Sequence, residues 1–422
     1  MTIEDWLTSQ PTGWLWLPET PDKIVPAVIR LEDGEPPAAF VWDALDPIPE
    51  QPSYRWPQEQ FHPVVVGSTD RGDITLVDCH MTHGYARRDG TALRWTGNLE
   101  ARAAYVGAMY PTTESLAHTK IRFRLDGTDL WSDLPLAAAT WSSPVAGITV
   151  DTSPTQNFRI GDIDVAIRLA AIEHPVNAGN ARSRHSLMSV EQFIEAESST
   201  AFSLNGWMSR VVDPLRFLHA FTLGQLLPLR GLERRDMIEY PPPRKRMELD
   251  RPLVGSGIRY RAADETIVLQ DPLVQLGDGE PQQLIDNWCT IWNDERRQNA
   301  IRRLLHAATD ATSPKSQFND LVEAAEGWHK AVHGGRKTLR ERLESLALPA
   351  ATWTASNYTP LDCAEVKADR DQTSHGDILP EPMRIHRHIR TLRMLLRYHI
   401  AVEVGVEPAY ARVRAMSADR WF

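Results

Sequence analysis

The stretch SQFNDLVEAAEGWHKAV, Ser316–Val332, decides the reading of the fold. Phe318, Leu321, Val322, Ala325, Trp328 and Val332 recur at helical spacing and make one apolar stripe. Ser316 is suited to cap the start of this helix, and Gly334-Gly335 to stop it. The same period continues on either side. Gln282–Ala308, with Leu284, Trp288, Ile291, Trp292, Ile301, Leu304 and Leu305, is predicted as one long helix. Lys337–Leu348 and Asp362–His375 predict shorter ones. Met383–Val404 places Ile385, Ile389, Leu392, Leu396 and Ile400 on one face, and Arg387, Arg390, Arg393 and Arg397 on the other. From Pro281 onward the expectation is an all-α helical bundle.

The preceding part has another rhythm. Apolar runs such as Pro63–Gly67, Ile74–Cys79 and Ile121–Leu125 are divided by the turn signals Asp70-Arg71-Gly72, Asp89-Gly90 and Asp126-Gly127. Their spacing fits a sandwich or an irregular barrel. Phe158–Ile160 with Ile163–Leu169, and Ile258–Tyr260 with Ile267–Leu269, read as further strands; Leu204–Leu227 reads as an embedded helix started or bent at Pro214. The expected class is α+β: a β-rich, sandwich-like region with an embedded helix over residues 1–280, then a helical bundle over 281–422.

A chain of 422 residues, 42% hydrophobic and 24% charged, has the composition of a globular protein rather than a disordered one. Three cysteines (Cys79, Cys289, Cys363) are too scattered for a disulfide framework, and MTIEDWLTSQ carries acids where a secretion signal needs bases, so a cytoplasmic location is expected. The longest uncharged stretch, Leu134–Val150, is broken by Pro135 and Pro144, so no membrane span is expected. Net charge is −10, unevenly shared: residues 313–422 hold 16 basic and 14 acidic residues, leaving −12 for the rest. Any polyanion is therefore expected at the C-terminal part.

The chemistry concentrates in Val366–Gly376. Arg370 offers a permanently charged fork for phosphate oxygens, and His375 can exchange protons near neutrality. On a continuing helix Asp371 lies one turn before His375 and can orient its ring. Arg370 and His375 are five residues apart, about 140° around a helix, so one copy does not aim both at a single point. Either the last turn is distorted or two copies pool their groups at a dimer axis. Cys79-His80 with His83 lacks a fourth ligand, and no phosphate-loop or dinucleotide fingerprint occurs; neither a metal nor a cofactor is expected.

The helical part resembles the HEPN superfamily, within it the ApeA-like branch of antiphage, abortive-infection proteins. The signature of an Arg, a polar residue, a few residues and a His is similar to Arg370-Asp371-Gln372-Thr373-Ser374-His375. The helix carrying a Glu shortly before an aromatic residue and a His is similar to Phe318–His329, with Glu326, Trp328 and His329. Arg342-Leu343-Glu-Ser-Leu346 and the closing Leu392–Gly405 continue the likeness. In front, Gly13-Trp-Leu-Trp-Leu-Pro18, Ile74-Thr-Leu-Val-Asp-Cys79 and Trp131 look like the ApeA N-terminal domain. The one departure is Asp371, where the family commonly has Asn.

The resemblance implies a toxin-like, metal-independent endoribonuclease acting as a homodimer, held in check by the N-terminal region until a phage-derived trigger arrives. Arg370 and His375 would be catalytic with Asp371 in support, Glu326 and His329 would back them, and Arg387, Arg390, Arg393 and Arg397 would track RNA. Two other readings stand beside it: a non-catalytic RNA- or nucleotide-binding sensor module, and a carbohydrate-binding role for the Trp-rich β region, whose sign would be an exposed aromatic patch.

Overall fold

The computed structural model describes residues 3–45, 60–89, 92–132, 134, 139–142, 147–150, 152–176, 185–238, 247–256, 258–260, 272–308, 313–353, 359–375 and 381–417. The strand expected at Ile267–Leu269 lies outside them. A short helix, α1 (Ile3–Leu7), precedes β1 (Thr12–Trp16), β2 (Val25–Arg30), β3 (Ala38–Val41), β4 (Phe61–Thr69), β5 (Gly72–Asp89) and β6 (Ala92–Val106). Antiparallel pairs β1–β2, β2–β3, β3–β6, β6–β5, β5–β4 and β4–β1 close these six into a barrel. Of the two forms the spacing allowed, these first six strands take the barrel.

Alternating side chains fill the cylinder: Leu15, Val25, Ala27, Ile29, Val41, Ile74, Leu76 and Leu99 are buried inside it, with Trp6 of α1 packed among them. The stretch from Ile74 to Cys79 shows how the alternation is reset. Ile74 and Leu76 face the barrel, Val77 faces the neighbouring core, and Cys79 and Met81 return to the barrel. The shift falls at Asp78, whose φ of 52° is left-handed. Gly13 and Gly67 seal the β1–β4 seam: a Cβ on Gly13 would lie 2.2 Å from Ser68 O, and one on Gly67 2.4 Å from Leu15 Cδ2.

β6 also pairs with β14 (Met247–Gly255), from which the sheet continues through β13 (Leu229–Ile238), β7 (His118–Leu125), β12 (His185–Phe202) and β11 (Ile163–Val176) to β10 (Thr155–Ile160). β15 (Ile258–Arg259) adds to β13 in parallel, and β8 (Ala139–Ser142) with β9 (Gly147–Val150) makes a separate hairpin. One face of this sheet buries Ile121, Phe123, Ile167, Ile194, Leu232 and Leu253. On the other, Glu195 receives Lys120 and Arg168 at 3.3 Å each, and Arg122 lies 3.0 Å from Asp250. A period of two separates apolar and ionic side chains in this way.

The helix expected at Leu204–Leu227 is in three pieces: α3 (Leu204–Trp207), a π-helical turn over Met208–Val212, and α4 (Asp213–Leu223). Pro214 has no N–H for the carbonyl four residues back and its ring crowds that carbonyl, so the helix widens there. The long helix expected over Gln282–Ala308 is two, α5 (Pro281–Trp292) and α6 (Glu295–His306). The Asp294 carboxylate accepts from Arg296 N at 2.9 Å and Arg297 N at 3.1 Å, capping a new start. α2 (Thr128–Trp131), α7 (Pro314–His333), α8 (Leu339–Ala347), α9 (Cys363–His375), α10 (Pro382–Val404) and α11 (Pro408–Ser417) complete the helices.

The β sheet and the helices share one core. Phe221, Trp288 and Trp292 stack with centroid separations of 5.9 and 6.0 Å, and Phe217 lies 4.6 Å from Trp292. Trp288 Nε1 donates to Pro214 O at 2.8 Å, tying α5 to α4. Gln282 exchanges two bonds with the Arg159 backbone, at 2.7 and 3.0 Å. Among the described residues no helix is long and apolar enough to cross a membrane.

Candidate functional site on helix α9

α9 begins at Asp362, whose carboxylate accepts from Ala364 N and Glu365 N at 3.1 and 2.9 Å. Its inner stripe is Cys363, Val366, Asp369 and Thr373, all buried. The Thr373 hydroxyl lies 2.9 Å from the Asn319 side-chain amide oxygen on α7 and 3.0 Å from Arg370 O. This stripe turns Arg370 outward, where its side chain is half-exposed.

An ionic cluster, buried at Asp369 and His388, holds the same turns against α10. Arg384 donates twice to Asp369, Nε to Oδ2 at 2.9 Å and Nη2 to Oδ1 at 2.6 Å. Arg387 Nη2 donates to Glu365 at 3.0 Å. Between the two carboxylates sits the buried His388 ring, with Nε2 3.3 Å from Asp369 and 3.4 Å from Glu365. Burial pushes His388 below the ordinary histidine range, against the pull of Asp369 and Glu365.

Asp371 turns backward: Lys367 Nζ donates to its Oδ2 at 3.0 Å, and Arg370 Nη1 is 3.6 Å from its Oδ1. The Lys367 hydrogen bond, with the charges of Lys367 and Arg370, holds its carboxyl below the usual range. α9 is helical through His375; the side chain of His375 is outside the described residues.

Glu326 on α7 accepts from Arg342 of α8 and from Lys330 at 2.9 Å. Burial alone would raise its pKa, but Lys330 outweighs that, helped by the charges of Arg342 and Arg370, and the net direction is down. Arg370 and Glu326 therefore share one electrostatic neighbourhood. His329 is fully buried and its ring is 4.7 Å from that of His333. Its pKa is pushed down to about 4, by burial first and then by the charges of His333, Lys337, Arg342 and His399. At neutral pH it is an uncharged imidazole.

The arginines expected on one open face of α10 are not together. Arg387 is exposed and pairs with Glu365; Arg390 is half-buried; Arg393 and Arg397 are buried, Arg393 donating to Ala307 O at 3.1 Å. The physical reason is that α10 packs against α5, α7, α8 and α11, which leaves it little free face. Surface cations lie instead around α7 and α9, at Lys330 and Lys367. Cys79 is buried in the barrel while its neighbour His80 is exposed against Phe61, so the two diverge. Burial pushes the thiols of Cys289 and Cys363 up to about 12 and about 11, unsuited to nucleophilic work.

Sequence reading passed over Asp369, Arg384 and His388. The signal was present: Asp369 falls on the Val366–Thr373 stripe, and His388 follows Arg384 by one turn. Arg342, 16 residues from Glu326, carries no such local sign.

No curated protein and no solved structure matches the chain. The model of the family described as ApeA N-terminal domain 1 matches residues 11–229, just over half of it. Within that span, Gly13 seals the barrel seam, Leu15 and Leu17 fill its interior, and Trp131 is buried under the adjoining sheet. The chain belongs to the ApeA family.

Proposed function

We propose that this chain is an antiphage-defence protein in which residues 281–422 form a HEPN-type, metal-independent endoribonuclease, working as a cytoplasmic homodimer under the control of residues 1–280. The reading is carried by α9: Arg370 stands half-exposed beside Lys367 and the Glu326–Lys330–Arg342 cluster, and His375 ends the same helix. Because α9 stays helical to its end, positions 370 and 375 fall about 140° apart around its axis. A shared phosphate then draws its guanidinium and imidazole from two copies.

In this mechanism an RNA 2′-oxygen attacks the adjacent phosphorus as its proton passes to a base. The bond to the 5′-oxygen breaks, and that oxygen takes up a proton. The products are a 2′,3′-cyclic phosphate and a 5′-hydroxyl. His375 moves protons, worth about 10²–10⁴ in rate, and Arg370 offsets charge on the phosphorane oxygens. Glu326, Arg342 and neutral His329 position the helices around it. DNA, without the 2′-hydroxyl, is spared.

Labelled RNA incubated with the protein, after relief of any restraint by a phage lysate, tests this. Cleavage should persist in EDTA and vanish in His375→Ala. Metal-dependent cleavage, or cleavage surviving that substitution, overturns the mechanism. One observation favours the non-catalytic binding module: Asp371 puts a carboxylate 3.6 Å from Arg370. Growth arrest on overexpression that disappears in both Arg370→Ala and His375→Ala, with the dimer intact, decides for the enzyme.

A further inference from the structure

A cavity of about 360 Å³ lies in the β-rich region, where α1 and the turn from β7 into α2 meet the starts of β12 and β13. That is the size of a small-ligand site. The ladder breaks at its wall. Arg230 pairs with Arg124 across β13 and β7, but Leu232 then pairs with Phe123, so Gly231 is an extra, bulged residue with φ of 56°. A Cβ there would stand 3.5 Å from the Tyr260 ring, which forms the neighbouring wall.

The cavity has two acidic ends and an apolar middle. Glu233 makes the inner end, its side chain 15% exposed. Arg122 Nη1 stands 4.0 Å from it, beyond hydrogen-bond reach, and turns to Asp250 at 3.0 Å. Among the described residues the Glu233 side chain accepts no hydrogen bond. Burial, and then the charge of Asp250, pushes its carboxyl up against the pull of Arg122, Arg124 and Arg235. A half-buried acceptor in this state gains from a donor that enters the cavity. The mouth carries the exposed Glu4 and Asp129. Leu125, Leu169 and Val190 line the wall, and Leu169 is buried without belonging to either large core.

The two arginines of the lining are already engaged, Arg124 with Glu191 and Arg230 Nη1 with Asp126 at 2.9 Å. Among the described residues the lining charges come to 2 − 5 = −3, which disfavours phosphate, and no group of three ligating side chains offers itself to a metal. Length narrows the choice further. Glu233 pairs with Arg122, and Asp126 follows four residues along the chain, so the ends stand about 13 Å apart at the rise of a strand. An extended chain with an ammonium at each end and methylenes between matches both the spacing and the alternation of wall chemistry.

We infer that this cavity binds a linear aliphatic polyamine, one terminal ammonium on Glu233 and the other between Glu4 and Asp129. The inference stands apart from the nuclease proposal.

The test titrates the full chain, freed of nucleic acid, with spermidine by calorimetry, and with n-butylamine for comparison. Spermidine should bind one to one and about tenfold more tightly than the monoamine. Glu233→Gln should weaken it about tenfold, and Glu4→Gln/Asp129→Asn about threefold. Leu169→Phe narrows the cavity and leaves every charge in place; it should weaken binding too, which separates the cavity from loose attraction to an acidic surface. Melting temperatures without ligand show that each variant keeps the fold. No saturable binding of spermidine, or binding equal to the parent's in either Glu233→Gln or Leu169→Phe, overturns the inference. So does magnesium or inorganic phosphate that binds the parent, but not Glu233→Gln, in spermidine's place.

Discussion

Replacing Trp288 by Ala tests whether the β and helical parts stand or fall together. The indole is completely buried, stacks on Phe221 and Trp292, and donates to Pro214 O. Truncating a buried aromatic side chain costs about 3–5 kcal/mol, and the lost hydrogen bond adds about 1 kcal/mol. The expected loss is therefore about 5 kcal/mol, a large share of the ~5–15 kcal/mol that usually holds a domain folded. Urea unfolding should be followed by circular dichroism of both helix and strand and by hydrogen exchange of the amides of β7, β12 and β13, whose Phe123, Ile194 and Leu232 share the core with Trp288. With one core running from Phe123 through Trp288 to Leu396, all signals should move together to lower denaturant. A loss below about 1 kcal/mol, or a helical transition that shifts while the amides of β7, β12 and β13 stay protected, refutes the shared core.

Gly13→Ala should destabilise the barrel by about 2 kcal/mol, seen as a lower melting temperature, because the new Cβ meets Ser68 O at 2.2 Å. Asp369→Ala strips Arg384 and His388 of a buried partner; it should cost about 3 kcal/mol and raise amide exchange in α9 more than elsewhere. Asp371→Asn removes a carboxylate beside Arg370 and should tighten RNA binding about threefold at low salt, an advantage that fades as salt screens it. Buried His118 and His219 titrate near pH 4 because burial disfavours their charged form, whereas unfolded histidine titrates near 6.5. Their folded pKa values are depressed, so their contribution is complete above pH 6.5 and is lost as pH falls toward 4, up to about 3 kcal/mol each. Calorimetric melting temperatures should fall across that window, and less steeply in His219→Asn.

The helical part was the more legible. α7 shows because Phe318, Leu321, Val322, Ala325 and Trp328 repeat the helix period in one buried stripe. The same rule misplaced Arg393 and Arg397, since a wheel divides a helix into wet and dry sides while α10 is covered on several. The breaks at Asp294 and around Pro214 were written in capping and proline chemistry that the surrounding apolar period masked. Barrel closure was hidden for another reason: β3 pairs with β6, and β1 with β4, across intervening chain, and pairing of that kind leaves no local period. At the site, Arg370 stood out as a residue type in a pattern, but its relation to Glu326 depends on how α7 and α9 pack.

Closure of the six strands has a consequence for how this part of the molecule meets others. An open sheet offers a border of unsatisfied amides that any extended peptide can lengthen; a cylinder offers none. Where the circle is closed, whatever approaches must be discriminated by the chemical groups standing on the wall, and not by borrowed backbone bonds. Those groups can be exchanged one at a time while the hydrogen-bonded frame beneath stays as it is, which leaves specificity free to drift faster than architecture.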